Sequence, residues 1–137
     1  MNINDTKIIP ELNLARSEEL KLSYQTVDES PVTIIVKPLG SIATYNAKHF
    51  EEVINELIDQ GYIYLFFDMS NTVYVSAFGI GTFLNILKRV KNIGGDIVLD
   101  RVLPNVLEVF NLPGFADVFT INGVKYEDRA KEEILDK

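Results

Sequence analysis

Hydrophobic residues recur along the chain with two periods, one typical of strands and the other of helices. Apolar and polar side chains alternate over Leu20–Val27, which predicts a half-buried strand. The β-branched run Val32–Lys37 predicts a second, buried strand. Tyr62–Phe67 is apolar at every position, as is typical of a central strand covered on both faces. Shorter apolar segments predict strands at Ile97–Leu99 and Val118–Ile121.

In the segments between these strands, apolar residues recur with the spacing of a helix. A first helix is predicted to be capped by Asn46 and to end at Gly61. Its apolar face comprises Ala47, Phe50, Val53, Ile54, Leu57 and Ile58. A second helix, predicted to begin near Phe78, has a buried stripe of Ile80, Phe83, Leu84, Leu87 and Val90. Shorter helices are predicted over Pro104–Leu112 and Tyr126–Lys137.

The order of these elements predicts the fold class. Strands that alternate with helices form βαβ units and a mainly parallel sheet, to which the opening hairpin adds an antiparallel pair. A chain of 137 residues fits one such domain. Residues 1–19 show no clear period and are interpreted as an N-terminal lead-in, and residues 20–137 as an α/β domain.

Composition excludes several classes of function. Thirteen basic and 20 acidic residues give a net charge of −7, which argues against nucleic acid as a partner. The chain has no cysteine and one histidine, so neither a thiolate nor a multi-histidine metal site is available. The longest apolar run, Tyr62–Phe67, is too short to cross a membrane, and the N-terminus has no signal-peptide pattern. We therefore expect a cytoplasmic protein without a cofactor.

The motifs that could support catalysis are incomplete. Ser76 lacks the flanking glycines of a nucleophile elbow. Gly79–Gly81 lacks the third glycine of a dinucleotide loop and is interpreted as small residues that allow a close helix start. Asp68 and Asp100 end strands, but neither has an acidic partner in its own loop for a magnesium ion. His49 is interpreted as a surface residue, and we expect no enzyme.

The uncharged connection Ser70–Gly79 is the segment most suggestive of a binding site. Connections between strands and helices lie at the carboxyl ends of strands, where sites gather in α/β folds. We expect Tyr74 and Val75 to pack under the second helix. For Ser76–Phe78, a protein-docking patch and an ordinary loop fit the pattern equally well.

Several short segments, taken in order, resemble the STAS domain of bacterial anti-sigma factor antagonists. They are Gly40-Ser41-Ile42, Asp68-Met69-Ser70, Val75 to Ile80, Gly94-Gly95 and Leu103-Pro104. The resemblance covers residues 32–121 and implies a mixed sheet of four to five strands with helices packed mainly on one side. It also implies a partner that is both an anti-sigma factor and a serine kinase. In that family this partner phosphorylates a serine at the start of the second helix. The antagonist binds the partner only while that serine is unphosphorylated.

This sequence departs from the family motif at the phosphorylation site. The alignment places Ala77 where the acceptor serine stands and Ser76 where an acidic residue precedes it. The resemblance therefore implies that the usual phosphorylation switch is absent. The alternative is that Ser76 accepts the phosphate in place of residue 77. The implied partner-binding residues are Thr44, Tyr45, Ser76, Ala77, Phe78, Gly79 and Ile80. A second hypothesis is an unphosphorylated scaffold or homodimer in a signalling assembly, with Phe78 at a permanent contact.

Overall fold

The computed structural model describes residues 3–8, 20–112 and 118–121. The elements are β1 (Ile3–Ile8), β2 (Leu20–Val27), β3 (Ser30–Ile42), α1 (Thr44–Asp59), β4 (Tyr64–Asp68), β5 (Thr72–Val75), α2 (Ala77–Asn92), β6 (Asp96–Asp100), α3 (Pro104–Phe110) and β7 (Thr120–Ile121). The helix predicted over Tyr126–Lys137 lies outside the described residues. So does most of the predicted lead-in, although β1 within it pairs with β2.

The described strands form one mixed sheet in the order β1-β2-β3-β4-β6-β7. The pairs β1–β2 and β2–β3 are antiparallel, and the remaining pairs are parallel. This confirms the α/β class and the mixed sheet, although the described residues contain seven strands instead of four or five. One added strand is β5, which pairs with the end of β3. β3 has 13 residues and extends well beyond the predicted Val32–Lys37, so its last residues are free to pair with β5.

Three helices cover one face of the sheet through a cluster of aromatic rings. Phe50 of α1 and Phe83 of α2 both contact Phe67 of β4, with ring centroids 6.2 and 5.1 Å apart. Phe110 of α3 contacts Phe83 at 5.5 Å, and Phe119 contacts Phe110 at 5.2 Å. Such edge-on and tilted pairs add to the stabilisation that burial already provides. The described helices therefore pack on one side, as the resemblance implied.

The opposite face of the sheet is not covered by these helices, which corrects the interpretation of Tyr62–Phe67. The strand runs instead from Tyr64 to Asp68. Leu65 and Phe67 are buried under the helices, whereas Phe66 is half-buried and Tyr64 is exposed. Alternate side chains of a strand point to opposite faces. The segment is apolar throughout even though only one of its faces belongs to the main core.

Asn46 stabilises the start of α1 from inside the helix. The helix begins at Thr44, not at a residue after Asn46, so the predicted N-cap is wrong. The buried Asn46 side chain accepts a hydrogen bond from the Ala43 amide at 2.9 Å and donates one to the Ser41 carbonyl at 3.0 Å. The asparagine thus satisfies backbone groups of the β3–α1 turn from the third helical position.

The buried face of α2 differs from the predicted stripe at one position. Ile80, Phe83, Leu87 and Val90 are buried as predicted, and Ile86 joins them. Leu84 is only partly buried, because it lies at the edge of the stripe in a groove that Glu51 of α1 also lines. The prediction that Leu84 is a core residue is therefore wrong.

Truncating two leucines of α2 tests this assignment. Leu87→Ala should lower the free energy of unfolding by about 2–5 kcal/mol, because it leaves a cavity in the core. Leu84→Ala should lower it by less than about half as much, because the groove beside Leu84 is already open to solvent. Urea denaturation of both variants measures the difference. Equal losses would show that the helix face is misassigned.

Candidate docking surface

The first turns of α1 and α2 lie at the same edge of the sheet. β3 leads directly into α1, and β5 leads directly into α2. The two strands are paired in parallel, with Ile42 opposite Val75. In addition, the Ile42 carbonyl accepts a hydrogen bond from the Ser76 amide at 2.9 Å. This pairing fixes the position of one helix start relative to the other.

Ser76 is the N-cap of α2, and its hydroxyl oxygen accepts the capping hydrogen bond. Its Oγ accepts a hydrogen bond from the Gly79 amide at 3.0 Å, and the residue is 8% exposed. Serine at this position satisfies one of the amides that a helix start leaves unpaired. Ala77 is the first helical residue and is exposed.

Phe78 projects from this first turn into solvent. It is 56% exposed, as expected of a residue that the resemblance implies lies at the partner-binding surface. Together with Ala77, Leu84 and Glu51 it lines a groove of about 390 Å³ between α2 and α1. A large ring at this degree of exposure makes little contribution to the core and is free to contact another molecule.

Gly79 allows α2 to approach β3 closely. A Cβ atom at Gly79 would lie 3.0 Å from the Ile42 carbonyl oxygen and 3.0 Å from a methyl group of Val75. A Cβ atom at Gly81 would meet nothing within 4 Å. The interpretation of these glycines as residues that admit a close helix start is therefore confirmed for Gly79 and wrong for Gly81.

Sequence reasoning missed part of the exposed apolar surface. Val73 and Tyr74 are both exposed, so the prediction that Tyr74 packs under α2 is wrong, whereas Val75 is buried as predicted. The β3–β5 register shifts between the pairs Gly40–Thr72 and Ser41–Tyr74. This irregularity leaves Val73 without a partner in the register, so two consecutive side chains face solvent.

We define the docking surface as the exposed apolar residues Tyr45, Val73, Tyr74 and Phe78. Three of the four belong to β5 or to the start of α2, and Tyr45 lies in the first turn of α1 beside the exposed Thr44. Gly79 and Ile80 are buried beneath this surface. They position its residues and are themselves turned towards the core.

Asp68 ends β4 in a polar arrangement of its own. Its Oδ1 accepts a hydrogen bond from the Ser70 amide at 3.1 Å, and its Oδ2 pairs with the guanidinium of Arg101. Burial by itself raises the pKa of Asp68, but the hydrogen bonds from Ser70 and the charge of Arg101 outweigh it and hold that pKa below its ordinary value. Within the described ranges, no three potential metal ligands of the acidic, histidine or cysteine type cluster together.

The chain belongs to the STAS domain family, whose model matches residues 24–127. It is 27% identical over 96 residues to the anti-sigma-B factor antagonist of Bacillus subtilis, covering 70% of this chain and 87% of that protein. No helix in the part of the chain that the structure describes is long and apolar enough to cross a membrane.

Solved structures of relatives share the fold. The unphosphorylated form of the anti-sigma factor antagonist SpoIIAA superposes with a TM-score of 0.63, covering 85% of this chain and 97% of that one, at 15% identity. The solution structure of TM1081 has a TM-score of 0.62 at 27% identity, covering 83% and 88%. The chain is thus an anti-sigma factor antagonist-like STAS protein.

Two glycine substitutions test the contact between α2 and β3. Gly79→Ala should lower the free energy of unfolding by about 1 kcal/mol or more, because overpacking against the Ile42 carbonyl exceeds the gain in helix propensity. Gly81→Ala, the matched control, should raise it by about 0.5–1 kcal/mol because its site is open. Thermal and urea unfolding measure both. If both variants were stabilised, the close approach at Gly79 would be refuted.

Proposed function

We propose that this protein is a regulator that binds an anti-sigma factor of the serine-kinase type through the docking surface. The exposure of Phe78 at the first turn of α2 is the observation that carries this proposal. The family resemblance assigns partner contact to that turn, and the relatives include antagonists of anti-sigma factors.

The character of the docking surface supports a protein partner. Its four large apolar side chains are each about half exposed. No charged residue occurs between Asp68 and Lys88, so the surface has few groups whose desolvation would oppose binding. Aromatic side chains surrounded by such a surface are typical anchors of protein–protein interfaces.

The same turn is poorly suited to the usual phosphorylation switch. Ala77, at the acceptor position, has no hydroxyl to accept a phosphoryl group. The neighbouring hydroxyl of Ser76 is buried and holds the helix cap, so a kinase would have to break that hydrogen bond to reach it. We therefore propose that binding of the partner is not regulated by phosphorylation at this turn.

A second candidate function is a scaffold or homodimer that uses the same surface. The bulk of Phe78 favours it, because an aromatic side chain suits a permanent apolar contact better than one that must be released. Sizing chromatography separates the two candidates: a stable dimer that Phe78→Ala dissociates would favour the scaffold.

Substitution of Phe78 tests the docking surface. Phe78→Ala should weaken binding of the purified anti-sigma factor kinase by about tenfold or more, as expected for an interface anchor. Its free energy of unfolding should change by less than about 0.5 kcal/mol because the ring is exposed. Ile93→Ala is the matched control, since Ile93 is equally exposed beyond the other end of α2. Calorimetric titration measures binding, and equal losses in both variants would contradict the proposal.

Intact-mass spectrometry after incubation with the kinase and ATP tests the missing switch. The unaltered protein should gain no phosphate. The double variant Ser76→Asp with Ala77→Ser should gain one phosphate, because aspartate preserves the cap while the new serine is exposed. Its complex with the kinase should then dissociate, since the phosphate adds about −1.5 to −2 charges to the apolar surface. Stoichiometric phosphate on Ser76 of the unaltered protein would show a shifted acceptor instead of an absent one.

A further inference from the structure

A cavity of about 450 Å³ opens on the face of the sheet opposite the three helices. Alternate residues of β3, Ile35, Lys37 and Leu39, line it. They point away from the main core because the neighbouring residues Ile34 and Val36 are fully buried beneath the helices. The volume lies within the range of pockets that hold small molecules, about 300–1,000 Å³. The cavity is separate from the docking surface, with which it shares no lining residue.

Two hydrogen-bond donors lie side by side at this cavity. Ser23 lies opposite Lys37 in the β2–β3 register, and both residues line the cavity. Lys37 is half-buried and forms no ion pair with any described residue. A hydroxyl and an ammonium that lie next to each other at one cavity indicate a place for an acceptor group of a ligand.

The charge at the cavity favours an anion. Lys37 and Arg101 contribute two positive charges, and Asp68 contributes one negative charge. The Asp68 carboxylate is already engaged by Arg101 and by the Ser70 amide. These lining groups leave one net positive charge, opposite in sign to the net charge of −7 for the whole chain.

We propose that this cavity binds a small organic monoanion, a carboxylate with an apolar body. The carboxylate accepts hydrogen bonds from the Lys37 ammonium and the Ser23 hydroxyl. The apolar body packs against Ile35 and Leu39. One net positive charge matches one carboxylate, and the apolar part of the lining distinguishes such a ligand from an inorganic anion.

Amide chemical shifts of the full chain, followed by NMR during titration, test this proposal. The probes are benzoate and hexanoate. Inorganic phosphate is the control for an anion without an apolar body, and hexylamine is the control for an apolar chain of opposite charge. Both carboxylates should cause saturable shifts at the amides of β2, β3 and Arg101 at millimolar concentration. Phosphate should bind at least tenfold more weakly, and hexylamine should cause no saturable shift.

Substitutions then test the assigned groups. Lys37→Met keeps the apolar stem and should weaken benzoate binding about tenfold. Ser23→Ala should weaken it by a smaller factor, and Lys48→Met, which removes the same charge from exposed α1, should leave it unchanged. Absence of saturable shifts with either carboxylate would overturn the proposal. So would phosphate binding as tight as that of benzoate, or equal effects of the Lys37 and Lys48 substitutions.

Discussion

The carbonyl group of Ile42 is the point on which the candidate site depends. Its oxygen accepts the Ser76 amide hydrogen bond and lies at contact distance from the place a Cβ atom would take at Gly79. These two contacts fix the distance and the direction at which α2 leaves the sheet. Ala77 and Phe78 are exposed because the residues on either side of them are held against β3. The exposure of this turn therefore depends on the position of β3 as much as on α2 itself.

The aromatic cluster explains why the two faces of the sheet differ. Rings from α1, α2 and α3 form one cluster around Phe67, and these contacts hold the three helices on one face of the sheet. The opposite side keeps half-buried apolar residues such as Ile35 and Phe66, with polar groups among them. The two surfaces of functional interest arise from this asymmetry. One lies at the edge of the layer that α1, α2 and α3 form, and the other lies on the sheet face opposite these helices.

The elements whose stabilisation is local could be predicted from the amino-acid sequence alone. The helical spacing around Phe50 and Phe83 indicates helices, and the β-branched run of β3 indicates a strand. Each pattern can be recognised within one short segment, because it depends only on residues that are close together in the sequence. The same patterns were enough for the fold class and, with the short motifs, for the family resemblance. The exposure of Phe78 was expected from the resemblance, which implies a partner-binding residue at that position.

Features that depend on residues far apart in the chain could not be predicted from the sequence and are seen only in the three-dimensional structure. β5 is too short to be recognised alone and exists through its pairing with the end of β3 about 30 residues earlier, which exposes Tyr74. Leu84 satisfies the helical period but lies at the rim of the core, because burial depends on where α1 packs. The pairing of Asp68 with Arg101, and the cavity beside it, join separate strands. Periodicity reports which side of an element is apolar, whereas the positions of the other elements determine what that side contacts.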